Sequence, residues 1–272
     1  MNYEHLLYEV DDENICWVTL NRPECINAFN TRLCQEVSAA LEAADRDDKV
    51  HVVVLRGAGK GFSSGHDLKE DADDDFPSIY AYRNHYLQQQ HEFTAPWRIS
   101  KPVIASVHYC AIGKGFEIAT LCDITIITDD TRLGYKELRY GISGFHMILP
   151  WLVNMKTARD LMLTGRELGA QEAKEIGLVT EVVKTDELTA ATLKKARLVA
   201  AMPTEMQRIH KHYVNHVYDL MGHSSAVSWY NDLMTMMSFC PAEVYQKFSE
   251  TTLEKGLKTA LAETNSLYEG LD

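Results

Sequence analysis

Residues 105–123 read ASVHYCAIGKGFEIATLCD, and their order decides how the rest of the chain is read. The apolar, β-branched run 102–107 has the composition of a strand. It passes into a segment holding Gly113 and Gly115, and Glu117 follows at once. Beyond it Ile118, Ala119, Leu121 and Cys122 follow a helical pattern. A strand, a glycine turn and a helix start, in that order, expose backbone N–H groups where the helix begins. Such a terminus favours negative charge, whether a bound anion or a developing oxyanion. Glu117 therefore has two readings. It either complements the first helical turn or belongs to a reactive site, and this stretch alone favours the first.

A second stretch changes the balance. Residues 52–65, VVVLRGAGKGFSSG, are again an apolar strand and a glycine-broken loop, followed by His66, Asp67, Leu68, Lys69 and Glu70. Two such turns, each offering an N–H, can converge on one carbonyl oxygen. Elsewhere, 15–20 reads as a strand ended by Arg22-Pro23, because proline cannot continue a central ladder. Leu33, Val37, Leu41 and Ala44 mark 31–45 as an amphipathic helix. The run 50–55 has the continuous apolar character of a strand buried on both faces. Strand, helix, strand predicts parallel pairing with right-handed crossovers. The pattern next predicts a helix over 79–94, strands over 102–107 and 124–128, short helices over 158–165 and 170–176, and a strand over 178–183. From Thr185, read as an N-cap, the chain is helical to the end, with further starts at Pro203 and Pro241. The expected organisation is α/β: one spiral core over 1–200 and a helical section over 201–272.

Composition narrows the function. At 46% hydrophobic, the 272 residues can bury a full core, and a net charge of −12 argues against a nucleic-acid partner, which selects a basic face. No run reaches the length of a membrane-spanning helix, and residues 1–10 lack the basic flank and apolar centre of a signal peptide. The six cysteines (16, 25, 34, 110, 122, 240) are scattered, which predicts reduced thiols in a cytoplasmic setting, with neither disulfides nor zinc. No metal centre is expected. The acidic run EDADDD within 67–76 reads as a solvated loop, because nothing fixes its carboxylates. His212 and His216 sit four apart on a helix but have no third ligand nearby in sequence. Residues 57–61, GAGKG, lack the spacer and the Ser/Thr of a phosphate-binding loop.

The blocks LNRPECINAFN (20–30), GKGFSSGHDLKE (59–70), AIGKGFEIATLCDITI (111–126), LGYKELRYGI (133–142) and LTGRELGAQEAKEIGLVTEVV (163–183) resemble the enoyl-CoA hydratase/isomerase (crotonase) family. The resemblance covers essentially the whole chain. It implies the crotonase (ClpP-like) spiral of repeated ββα units, with a C-terminal helical section that assembles homotrimers or homohexamers. It also implies an acyl-CoA substrate, with coenzyme A entering as part of that substrate and no permanently bound cofactor. The family holds the thioester carbonyl between two backbone N–H groups, which match His66 and Lys114 here. Its two water-holding glutamates match Glu117 and Glu137, with Glu117 as base toward water, Glu137 as acid toward carbon, and the reverse assignment open. The coenzyme A contacts match Cys25, Ile26, Ala28, Ser64, His66 and Leu68.

Departures from the family are informative. Lys114 stands where the family usually has glycine, and a positive φ there would strain it. For Glu137 the competing reading is a surface ion pair with Lys136 or Arg139. After Gly141 the chain runs ISGFHMILPWL, so Phe145 and Trp151 are expected to reshape the acyl pocket and His146 adds a titratable group. The family's basic ending is only partly present in Glu254-Lys255-Gly256 and Lys258. Keeping both glutamates favours hydration of a 2-enoyl-CoA. The alternatives are isomerisation, or C–C or thioester hydrolysis through the altered 142–151 loop. A non-catalytic or RNA-binding relative is disfavoured by both glutamates and by the acidic charge.

Overall fold

A computed structural model of the chain describes residues 3–70, 76–142, 144, 148–237 and 242–271. The strands are β1 (Leu6–Val10), β2 (Ile15–Leu20), β3 (Val52–Gly57), β4 (Val103–Val107), β5 (Cys110–Ile112), β6 (Ile124–Thr128), β7 (Arg132–Gly134), β8 (Glu167–Gly169) and β9 (Glu181–Val183). Among the described residues, six of them form one sheet in the order β1-β2-β3-β4-β6-β9. Only β1 and β2 pair antiparallel there, and the remaining neighbours are parallel, as the strand–helix–strand order predicts. A smaller sheet, β5-β7-β8, lies apart from it.

The helices that matter for the site are α1 (Thr31–Arg46), α2 (Ile79–Phe93), α3 (Ala95–Arg98) and α4 (Lys114–Leu121). Next come α5 (Leu149–Leu152), α6 (Met155–Thr164), α7 (Ala170–Glu175) and α8 (Leu188–Ala200). The last four are α9 (Thr204–Leu220), α10 (His223–Met237), α11 (Glu243–Lys255) and α12 (Leu257–Ser266). Asn30 starts α1 by accepting from the Leu33 N–H at 2.9 Å, and Leu33, Val37, Leu41 and Ala44 are the buried stripe the sequence predicts. Alternation along β3 splits the core in two. Val53 and Leu55 join the large cluster with Phe29, Phe62 and Phe116, whereas Val52 and Val54 pack under Leu188 and Ala196 of α8. Both faces of the central strands are therefore covered, which accounts for their unbroken apolar runs.

Several boundaries differ from expectation, and the helix expected over 158–165 already begins at Met155, capped by Asn154. Val50 lies in a turn whose N–H bonds to Asp47, so β3 begins at Val52. Leu178 and Val179 are buried but serve as a plug after Gly177, and only 181–183 join the sheet. Thr185 is not an N-cap: 185–187 form a 3₁₀ turn capped from Lys184, and α8 begins at Leu188. The short strands β5, β7 and β8 escaped prediction because three residues carry no readable period.

The C-terminal helices are anchored by polar contacts as well as apolar ones. Lys211 of α9 is buried and donates to the carbonyls of Pro96 and Lys101 at 2.7 and 3.0 Å and to Asp123 at 2.7 Å. Tyr140, Phe248 and Ala260 form a separate cluster joining α11 and α12 to the 136–140 turn, with Leu68 packed against it. Among the described residues no helix is long and apolar enough to cross a membrane.

Candidate active site

The two glycine turns singled out in the sequence touch. The bridge between Ser63 and Ala111 lays the strand-like segment 61–65 beside β5. At Gly65 (φ +105) an added Cβ would lie 2.8 Å from the Ile112 carbonyl oxygen and 3.7 Å from Gly113 Cα, so only glycine fits. His66 follows directly and faces Phe29 across a bridge made by the Gly65 carbonyl and the Asp67 N–H. That pattern turns the N–H of His66 to the side of its segment away from Phe29.

The second turn contains a correction. The positive φ falls on Gly113 (φ 51), the residue before α4, and Lys114 is the first residue of the helix proper. Lysine at 114 is therefore unstrained. Glu117 lies one turn later, fully buried, with its N–H on the Gly113 carbonyl at 2.9 Å. Glu137 reaches the same spot from the 3₁₀ turn 136–140, held by β7 just before it. A Cβ on Gly113 would fall 1.5 Å from Glu137 Oε1, so the Glu137 carboxyl rests directly on the helix start. The surface ion-pair reading of Glu137 fails: Lys136 pairs instead with Glu167 at 2.6 Å, and Glu137 is buried.

Burial, and then the charge of Glu117, pushes the Glu137 carboxyl up to about 8. The Lys114 charge and a hydrogen bond from the Lys114 N–H act the other way without reversing it. At neutral pH Glu137 therefore holds a proton beside the second carboxyl. The Lys114 N–H, matched by sequence to a thioester donor, is engaged with Glu137 here.

Three phenols surround this pair, and sequence reasoning missed them. Burial raises Tyr135 and Tyr86 well above the ordinary phenol value, and Glu117 adds to both shifts. Tyr86 of α2 and Tyr230 of α10 both donate to the Gly144 carbonyl, at 3.4 and 2.8 Å. Tyr135 lies two residues before Glu137, and Tyr86 shares a buried helical stripe with Gln89 and Phe93, so both left a signal. Tyr230 left none.

The positions matched by resemblance to coenzyme A contacts lie side by side, apart from Leu68. Ser64 donates from its N–H to the Ile26 carbonyl and from its hydroxyl to the Cys25 carbonyl, at 2.8 and 2.9 Å. Buried Asn27 donates to the carbonyls of Ala58 and Gly61, both at 2.9 Å, which locks 25–28 against the 58–66 loop. Arg22 joins the Ala28 carbonyl to Asp67. Leu68 is further along, in the Tyr140–Phe248–Ala260 cluster. Lys255 is tied to Glu263 at 3.0 Å and Lys258 is exposed.

Trp151 lies against the start of α10. Its indole donates to the Met221 carbonyl at 3.4 Å and its ring meets His223 edge-on at 5.1 Å, so it packs on α10. Phe145 and His146 lie outside the described residues, as does most of the acidic run 70–75. His212 and His216 are exposed, and among the described residues no group of three metal-ligating side chains comes together.

A model of the enoyl-CoA hydratase/isomerase family matches residues 11–252. The mitochondrial enoyl-CoA hydratase of Pongo abelii is 30% identical over 224 residues, covering 80% of this chain and 76% of that one. A Mycobacterium tuberculosis protein named as an enoyl-CoA hydratase is 35% identical over 247 residues, 83% of this chain and 78% of that one. The crystal structure of an enoyl-CoA hydratase/isomerase from Xanthobacter autotrophicus Py2 superposes with a TM-score of 0.94 at 31% identity, covering 99% of this chain and all of that one. By fold, by sequence and by the blocks that carry both, the chain belongs to the enoyl-CoA hydratase/isomerase family and has the crotonase fold.

Proposed function

We propose that the protein adds water across the double bond of a 2-enoyl-CoA, giving the 3-hydroxyacyl-CoA. The observation that carries the reading is the meeting of two buried carboxyls, Glu117 and Glu137, at one helix start. Hydration needs one group that accepts a proton from water and another that delivers one to the α-carbon. A site where burial and mutual repulsion keep one carboxyl protonated at neutral pH supplies both. Glu117 acts as the base toward water and Glu137 as the acid toward carbon.

The thioester oxygen is held by the N–H groups of His66 and Lys114 and carries the negative charge of the enolate. These donors are fixed before charge develops, which is why backbone amides suit the task. The Glu137 carboxyl leaves the Lys114 N–H as the thioester oxygen arrives, and that movement aims it at the α-carbon. Coenzyme A comes in with the substrate along Cys25, Ile26, Ala28, Ser64, His66 and Leu68, and no resident cofactor takes part. Assembly into trimers or hexamers runs through α9, whose Met206, Ile209, Tyr213 and Leu220 form an exposed apolar stripe at helical spacing.

The test is incubation with crotonyl-CoA and mass analysis of the product. A gain of one water with the thioester intact is expected. Release of free coenzyme A would favour the hydrolase reading instead, and an unchanged mass with migration of the double bond would favour the isomerase reading.

A further inference from the structure

We propose that the Lys114 side chain, as distinct from its backbone N–H, is the counter-charge of the Glu117–Glu137 pair and lowers that pair's affinity for its protons. The inference rests on the two-carboxyl reading of the site and extends it to a residue whose side chain that reading leaves unused.

Its grounds are positional. Lys114 opens α4 and is 2% exposed, so its ammonium has no route to bulk water. Glu117 stands three residues on, on the same face of the helix, and Glu137 rests on Gly113 next door. The ammonium is held by α2, where it donates to Gln89 Oε1 at 3.3 Å. Gln89 is itself oriented by its amide nitrogen, which lies 2.6 Å from the His85 ring nitrogen. His85 reaches partial exposure and stacks near Phe76, with ring centroids 5.1 Å apart. An ordered chain thus fixes the cation from behind.

Charge balance then decides the protonation. Two buried carboxylates and no cation would leave two uncompensated charges in an apolar site, which proteins avoid by taking up protons. One carboxylate, one carboxylic acid and one ammonium sum to zero. Arg139, the buried cation of the same turn, is drawn over the Tyr268 ring, 5.0 Å from its centroid, and the nearer groups are phenols and a thiol. Tyr135 and Tyr140 come from the turn, Tyr86 from α2 and Tyr230 from α10, while the Cys34 thiol of α1 faces Lys114 and is raised by its own burial. Lys114 also opposes the upward shift of Glu137, as a nearby cation must. The pair titrates as a unit, so the quantity at stake is its macroscopic behaviour.

The experiment reads protonation without substrate. Protein carrying ¹³C at the glutamate side-chain carboxyl is titrated by NMR from pH 5 to 10, with Glu137→Gln and Glu117→Gln identifying the two signals. In the wild-type protein one of them should titrate near 8. In Lys114→Met the pair should take up protons more readily, its upper midpoint rising by about one to three pH units. Lys114→Gln, which can keep the bond to Gln89, should give the same rise, and Lys114→Arg should restore the wild-type midpoint. Unchanged midpoints in the folded Met or Gln variant would overturn the proposal and leave Lys114 as packing. Because no turnover is involved, failure of crotonyl-CoA hydration would count against the hydratase reading alone.

Discussion

At Gly113 a single hydrogen decides whether the site exists. Alanine there would push a methyl onto Glu137 Oε1 and force an L-residue to φ +51. Gly113→Ala should cost about 1–3 kcal/mol of stability and displace the acid, measured by urea unfolding together with crotonyl-CoA turnover. On the proposed reading the protonation of Glu137 sets the pH response. Burial and the Glu117 charge push its carboxyl up to about 8, and an acid works only while it holds its proton, so kcat/KM should fall as pH rises through about 8. In Glu137→Gln that alkaline limb should vanish from whatever activity remains. Sequence alone singled out Glu117 and Glu137 as candidates through their motif blocks, and the structure brings them to one helix start. The sequence could not reveal that Glu137 rests on the Lys114 N–H, because that contact joins residues more than twenty apart through a 3₁₀ turn. Nor could it show that the positive φ lies one residue before Lys114, since neighbouring residues in a glycine turn look alike until the backbone is built.

Helices and strands contribute by holding these residues still. The central strands were legible as unbroken apolar runs covered on both faces, and α1 by its 3.6-residue apolar period. The second sheet was not, being made of three-residue strands whose pairing depends on distant partners. The role of α10 was also hidden: Tyr230 reaches the Gly144 carbonyl over a separation of 86 residues, with no local pattern to announce it. One contact between elements can be tested directly. Lys211 ties α9 to Pro96, Lys101 and Asp123, and Asp123 is itself partly open to solvent. Lys211→Met would strand two carbonyls and a carboxylate, so a loss of about 1–3 kcal/mol in chemical unfolding is expected. Little change would mean that apolar packing alone anchors α9.

For the whole molecule, the acidic surface and the exposed stripe on α9 pull in opposite directions. A net charge of −12 keeps copies apart in solution unless a specific apolar face brings them together. Met206, Ile209, Tyr213 and Leu220 are exposed along α9, and on the proposed reading they are that face. Light scattering after size exclusion should give a trimer or hexamer, and Ile209→Glu combined with Tyr213→Glu should reduce it to a monomer. A monomeric wild-type protein would remove the assembly from the account. The overall spiral was readable from the chain because the family blocks keep their order and spacing, and the Xanthobacter autotrophicus structure follows nearly the full length.

The central claim is that two buried carboxyls perform the hydration together. The measurement that tests it most directly is crotonyl-CoA turnover by Glu137→Gln, set beside crotonyl-CoA binding by the same variant. The account predicts binding within a few-fold of wild type and a turnover loss on the order of 10²–10⁴, the usual contribution of a positioned acid or base. A Glu137→Gln protein that hydrates crotonyl-CoA at the wild-type rate would contradict it.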